Sequence, residues 1–132
     1  MRITASTVSL TVDDVAASSE FLVNHFGFNL QAADEDKNFA SVAREDVTMN
    51  IIFLRRGCEV LPESYRDRRA DGVIVAFTVE NLEAEESRLR NENANITLPL
   101  QEESWGERLF QVTDPNGVVF QLVEWAGDGA AY

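Results

Sequence analysis

The sequence predicts an α+β fold: two tandem βαβββ modules forming a curved mixed sheet around a ligand cleft. Three observations carry that expectation. The segment "SLTVDDVAAS" (Ser9 to Ser18) recurs as "AFTVENLEAE" (Ala76 to Glu85) at an offset of 67 residues, and a repeat at such a period points to a duplicated supersecondary unit. Each copy is an alternating strand that ends in an acidic or amide pair able to cap a following helix. Further strand-like runs follow each helix, separated by turn chemistry that is clearest at "DPNG" (Asp114 to Gly117). There Pro is preset for the second turn position and Gly suits the fourth.

Taken in order, the first strand alternates through Thr7 to Val12, and the pair Asp13 and Asp14 opens a helix over roughly Val15 to His25. Phe21, Leu22 and Phe26 share one face of it at helical spacing, and Gly27 suits the left-handed residue that closes a helix. Strands follow over roughly Asn29 to Ala33, Phe39 to Arg44 and Val47 to Leu54. The second strand-and-helix copy places a helix over roughly Leu82 to Glu92, with Ala94 at the position of Gly27, and strands over roughly Ile96 to Pro99, Arg108 to Thr113 and Val118 to Trp125. The modules span residues 1–54 and 73–132 of one domain. The stretch 55–72, "RRGCEVLPESYRDRRADG", connects them as a polar linker, or lies as a lid over a ligand with Tyr65 and its five arginines in reach of the site.

Strand parity assigns Val8, Leu10, Val12, Met49, Ile51, Phe53, Val75, Phe77, Val79, Phe120 and Leu122 to the helix-covered core. The opposite parity holds Thr7, Ser9, Thr11, Asn50, Ile52, Leu54, Ile74, Ala76, Thr78, Val119, Gln121, Val123 and Trp125. One helix covers only one face of its sheet, so this second face must meet the other half, a ligand or a partner subunit. Its mixture of small, apolar and amide side chains suits a largely apolar ligand oriented by a few hydrogen bonds.

Composition excludes several functions. Eleven basic residues face 23 acidic ones, a net charge of −12, which disfavours nucleic acid and anionic membrane surfaces and leaves neutral or cationic ligands. Cys58 is the only cysteine, so neither an intrachain disulfide nor a thiolate metal cluster can form. The N-terminus lacks the apolar core of a signal peptide, and the longest apolar run, Val73 to Phe77, is far too short to span a bilayer. The expected location is the cytoplasm. No nucleophile–base pair stands out, and no catalytic residue is assigned. The single histidine, His25, falls at a helix end, where it suits a solvated or dipole-facing cap.

The stretches "TVSLTVDDVAASSEFLVNHFGF", "GVIVAFTVENLEAE" and "WGERLFQVTDPNGVVFQLVEW" resemble the vicinal oxygen chelate superfamily, which contains glyoxalase I, extradiol dioxygenases, fosfomycin-resistance proteins and bleomycin-resistance proteins. The resemblance covers nearly the whole chain in order. It implies the fold but not a function, because that fold carries both enzymes and binders. In metal-using members four ligands come from four strands, two in each half. The resemblance sets Thr7, Asn50, Ile74 and Gln121 at those positions. Ile has no donor atom, Thr is a poor neutral ligand and the amides offer only neutral oxygens, so no metal and no cofactor is expected.

"SWGERLF" (Ser104 to Phe110) matches the bleomycin-resistance-like branch and places Trp105 on the loop entering the cleft. The implied ligand contacts are stacking on Trp105, apolar contact with Ile52, Ile74 and Val123, and hydrogen bonds from Thr7, Asn50 and Gln121. Phe110 and Phe39, on the shorter strands, are weaker candidates. Glu102, Glu103 and Glu107 either attract a cationic ligand or form a solvated face. The function expected is metal-free sequestration of an aromatic or largely apolar antibiotic or natural product, by a homodimer. The alternatives are a metal-independent isomerase or lyase on the same fold, and a glyoxalase-like metalloenzyme with displaced ligands.

Overall fold

A computed structural model describes residues 1–125. The last seven residues of the second sequence module, 126–132, lie outside the described residues. The chain divides into two compact units at the Asp71/Gly72 boundary. The first holds β1 (Ser6–Val12), α1 (Val15–Phe26), β2 (Asn29–Ala33), β3 (Phe39–Ala43) and β4 (Met49–Arg55). The second holds β5 (Ile74–Thr78), α2 (Leu82–Asn91), β6 (Ile96–Glu102), β7 (Glu107–Thr113) and β8 (Val119–Trp125). Each unit is therefore a βαβββ module with its own open four-stranded sheet, in the orders β1-β4-β3-β2 and β5-β8-β7-β6. Both sheets are mixed: β1–β4 and β5–β8 are parallel, and the remaining pairs are antiparallel. The expected fold class stands, with two separate open sheets. Among the described residues no helix is long and apolar enough to cross a membrane.

The core of each unit lies between its helix and one sheet face. In the first unit Leu10, Val12, Val42, Ile51 and Phe53 are buried, as are Phe21, Leu22 and Phe26 of α1, the helix that packs on β3 and β4. In the second, Val75, Phe110, Val112, Phe120 and Leu122 are buried on the side covered by Leu82 and Leu89 of α2. Each large side chain removed from water in this way contributes roughly 1.5–3 kcal/mol. Parity also holds for Val8, Met49, Phe77 and Val79, but these sit near strand ends and are only half-buried.

The helix ends show how the local sequence sets direction. The Asp14 carboxylate accepts from the Ala17 N–H at 3.1 Å and caps α1 as expected. Gly27 closes the helix at φ 68°. The second helix differs at both ends. Asn81 makes no side-chain cap; its own N–H donates to Glu124 Oε2 of β8 at 2.8 Å. The left-handed residue after the helix is Asn93, at φ 61°, and not Ala94. The physical reason is that Asn tolerates the left-handed region and Ala does not. The closing bond then runs from the Ala94 N–H to the Leu89 carbonyl at 3.0 Å.

Two carboxylates organise turns. Asp114 is buried and takes the Asn116 and Val118 N–H groups on Oδ1, each at 2.9 Å, so "DPNG" closes on its own first residue. Asp34 accepts from the Asn38 and Phe39 N–H groups at 2.6 and 3.2 Å. Desolvation pushes its carboxyl up, but these donors outweigh it and hold the pKa below the usual carboxylate range. The connecting stretch after β4 groups with the first unit. Ala70 donates to the Thr11 carbonyl and Arg56 to the Val12 carbonyl, at 2.7 and 2.8 Å, and both Arg56 and Arg69 pair with Asp13. A short 3-10 turn (Glu63–Tyr65) interrupts it, with the Arg68 guanidinium 5.3 Å from the Tyr65 ring.

The cap geometry makes a prediction. Asn93→Gly is neutral or slightly stabilising, because glycine adopts positive φ without a clash. Asn93→Ala costs about 1–2 kcal/mol for the same reason. Urea unfolding of the two variants checks the order; equal stabilities would contradict it.

Candidate functional site

Each sheet keeps one face without a helix, and the strand registers define what lies there. On the first sheet, Thr7 stands opposite Asn50, Ser9 opposite Ile52 and Thr11 opposite Leu54. Ser41 and Phe39 continue the Ile52 and Leu54 rows onto β3. Thr7 and Asn50 are exposed, Ile52 and Phe39 are half-buried, and Thr11 and Leu54 are buried. On the second sheet, Ile74 stands opposite Val119, Ala76 opposite Gln121 and Thr78 opposite Val123. Thr113, Gln111 and Leu109 of β7 extend these three rows, and Glu107 and Trp125 form a fourth.

The register corrects one correspondence between the modules. Thr7 pairs with Asn50, but Ile74 pairs with Val119. The position in the first sheet equivalent to Gln121 is therefore Ile52, two residues beyond Asn50. A two-residue difference preserves the face and changes only the row. Asn50 and Gln121 thus still occupy helix-free faces, each in its own unit.

Seven of the eight ligand contacts expected from the sequence lie on helix-free faces or on the loop that enters β7. Thr7, Asn50 and Ile52 are in the first unit, and Ile74, Gln121 and Val123 are in the second. Trp105 lies between β6 and β7 with 63% of its surface exposed. Phe110 is the exception. It stands opposite Leu122 on the face covered by α2 and is fully buried, so it belongs to the core. Alternation along β7 forces this placement, because Phe110 shares parity with Arg108 and Val112. Arg108 donates to Glu124 at 2.8 Å and to Glu83 of α2, which ties the helix to that face.

Of two further polar residues on the second helix-free face, Gln111 was not picked out from the sequence and Glu107 was read only as part of an acidic run. Gln111 stands directly opposite Gln121, and its Nε2 donates to Gln121 Oε1 at 2.8 Å. Gln121 is only 8% exposed. Glu107 is 4% exposed, and the Trp105 Nε1–H donates to its Oε1 at 3.2 Å. The parity that places Leu109 on this face also places Gln111 and Glu107 there. The burial of Glu107 was not foreseen, because it closes an acidic run whose other members, Glu102 and Glu103, are exposed and half-buried.

The donor chemistry does not fit a transition-metal ion. Ile74 and Ile52 have no donor atom, Thr7 and Asn50 offer neutral oxygens, and the Gln121 oxygen already accepts from Gln111. Among the described residues no three His, Cys, Asp or Glu side chains are grouped to hold an ion. His25 lies at the end of α1 and makes an edge-on contact with Phe21, ring centroids 5.1 Å apart. A cavity of about 470 Å³ in the first unit is lined by Asn38, Arg55, Arg56, Gly57, Cys58 and Glu59, none of which is an expected ligand contact.

The model of the family described as "Glyoxalase/Bleomycin resistance protein/Dioxygenase superfamily" matches residues 4–122. No curated protein matches the chain. Among solved structures, TioX from Micromonospora sp. ML1 is similar with TM-score 0.73 at 22% identity, over 94% of this chain and 100% of that one. TnmS3, described as an antibiotic binding protein from Streptomyces sp. CB03234, gives TM-score 0.73 at 19% identity, over 96% of this chain and 99% of that one. Lactoylglutathione lyase from Agrobacterium tumefaciens gives TM-score 0.70 at 13% identity, over 94% and 96%. At these identities the likeness extends to the fold.

The burial of Gln121 makes a prediction with a definite sign. In a Gln121→Glu variant, desolvation raises the new carboxyl in the folded state above its unfolded value of about 4.3. A raised folded pKa means the folded state holds its proton longer, so the variant loses stability as pH rises from the unfolded pKa through the folded one. The melting-temperature deficit against wild type is expected to be larger at about pH 8 than at about pH 4. A pH-independent deficit would contradict it.

Proposed function

Because the chain belongs to the glyoxalase/bleomycin resistance protein/dioxygenase superfamily, we propose that it is a metal-free small-molecule binding protein that sequesters an aromatic or largely apolar antibiotic or natural product. The observation that carries this reading is the helix-free face of the second sheet. Apolar rows there flank a pair of neutral amides at a position where a metal-using relative needs a charged ligand. Such a face binds by burial of apolar area and a few oriented hydrogen bonds. TnmS3, described as an antibiotic binding protein, supports the reading through a shared fold.

In this reading Trp105 supplies a flat, exposed ring for stacking. Ile74 supplies apolar contact and Gln121 a hydrogen bond, with the fully buried Val123 packed beside them on the same face, while Thr7, Asn50 and Ile52 supply hydrogen bonds and apolar contact on the first sheet. Glu107 favours a ligand with a cationic group, in keeping with the net charge of −12. Phe110 supports the sheet from behind and touches no ligand. Affinity alone lowers the free concentration of the bound compound, so no bond is made or broken. The protein acts in the cytoplasm as a homodimer, and neither nucleic acid nor membrane is a partner.

Native mass spectrometry of protein purified without chelator, with and without a panel of aromatic antibiotics, tests the proposal. The expected result is a metal-free dimer that gains the intact mass of one compound per subunit. A bound transition ion would instead make it a metalloenzyme. A bound mass that changes with time would make it a metal-independent isomerase or lyase. For a retained compound, Trp105→Ala is expected to weaken binding by about tenfold, the loss of an aromatic contact worth about 0.5–1.5 kcal/mol beyond its area. Tryptophan fluorescence titration reads this directly, and an unchanged affinity would remove Trp105 from the site.

A further inference from the structure

The two glutamines of the second sheet hold more specific information than a polar spot on an apolar face. Gln111 and Gln121 are direct cross-strand partners on the same face. One hydrogen bond joins them, from Gln111 Nε2 to Gln121 Oε1 at 2.8 Å. A primary amide has two donor hydrogens and one acceptor oxygen. The bond therefore leaves Gln121 Nε2 with donors and Gln111 Oε1 with an acceptor on the two joined amides. Among the described residues neither of these groups has another hydrogen-bond partner. Exchanging both amides end for end reverses which residue donates and leaves the same pair of functions.

This edge is buried enough to matter. Gln121 is 8% exposed and Gln111 half-buried, so the two open groups reach water over a small area, and a ligand that covers them without bonding them costs free energy. It is also approachable. The next residue in its row, across the parallel pair to β5, is Ala76, whose methyl group leaves that side low and exposed. Of the two adjacent rows, Leu109 and Val123 are covered by protein, whereas Ile74 is 54% exposed and Val119 half-buried, so the open apolar surface lies on that side.

We propose that Gln111 and Gln121 form a donor–acceptor edge that recognises a lactam, imide or primary carboxamide on the bound molecule, with the rest of that molecule lying over Ile74 and Val119. A cis amide group presents its N–H and C=O side by side. The N–H meets Gln111 Oε1 and the C=O meets Gln121 Nε2, so both open groups are met at once. A ligand with only an acceptor at that point leaves Gln111 Oε1 desolvated without a donor, which lowers its affinity. This edge would be the specificity-determining element of the helix-free face, and the inference rests on the proposed ligand-binding role of that face.

Carbostyril, an aromatic lactam, and N-methylcarbostyril, which lacks the N–H, are suitable probes for the full chain. Binding is read by NMR of isotope-labelled protein, following the side-chain amide signals of Gln111 and Gln121. The expected result is that carbostyril shifts both glutamine signals and that N-methylation weakens binding by about tenfold. The Gln111→Leu/Gln121→Leu double variant removes both partners together and leaves no orphaned amide, so it keeps the fold. In it the two probes are expected to bind equally. Equal affinities in the wild-type protein, binding that leaves the glutamine signals unmoved, or no binding of either probe would each overturn the edge. Failures of the two proposals are separable. An antibiotic retained in the mass spectrum, with no discrimination between the carbostyrils, sinks the edge alone. Discrimination with no antibiotic retained sinks sequestration alone.

Discussion

A four-stranded sheet has two faces, and each sheet of this protein has a single helix to cover them. That constraint shapes everything else in the structure. The covered face of each sheet takes the large apolar side chains, Phe53 and Ile51 in one unit and Phe110, Phe120 and Leu122 in the other. The second face could have been polar throughout, because alternate residues of a strand point to opposite sides, but here it carries apolar side chains among its polar ones. It must be matched to something of its own character. Its residues alternate apolar and amide rows, with Val119, Gln121, Val123 and Trp125 at successive positions on β8. Sequence alternation, strand register and ligand preference are thus one property seen at three scales.

Most of the architecture was legible in the amino-acid sequence, because local signals agreed with the global fold. Period-two alternation fixed the faces, Asp14 and Gly27 fixed the ends of α1, and "DPNG" fixed the β7–β8 turn. Legibility failed where one local signal stood for two physical solutions. A left-handed closing residue was needed after α2, and the repeat pointed to Ala94, yet backbone sterics selected Asn93. The cap of α2 came from Glu124 on a strand distant in sequence, which no local pattern announces. The connecting stretch looked like a linker because it is polar. Its backbone bonds to Thr11 and Val12 and its ion pairs with Asp13 depend on chain reversal that composition does not encode.

The candidate site was read with the same strengths and failures. Thr7, Asn50, Ile52, Ile74, Gln121 and Val123 fell on helix-free faces because parity is robust. Phe110 did not, since its assignment came from a motif likeness and alternation overruled it. Gln111 was missed, and Glu107 was read only as one of an acidic run, because the face of β7 was not read residue by residue. Cross-strand partners are set by register, and register becomes visible only once strands are paired. The same pairing moved the counterpart of Gln121 from Asn50 to Ile52, which makes the donor set still less suited to an ion.

The superfamily to which the chain belongs builds different chemistries on one backbone, so identity of fold cannot decide between a binder and an enzyme. The decision lies with charge and donor strength at a few positions. A carboxylate or imidazole at Gln121 commits the face to a cation. A glutamine held by a second glutamine commits it to neutral hydrogen bonding. The buried Glu107 beside the exposed Trp105 adds one negative charge at the end of the same face, away from the amide pair by two rows.

The most direct test of this account is methyl NMR of the protein with a retained antibiotic, using isotope-labelled Ile, Leu and Val. The account predicts an alternating response on the second sheet: Ile74, Leu109, Val119 and Val123 shift on binding, whereas Val75, Val112 and Leu122 on the helix-covered face do not. Shifts confined to the helix-covered residues, or an antibiotic that binds without moving either set, would contradict it.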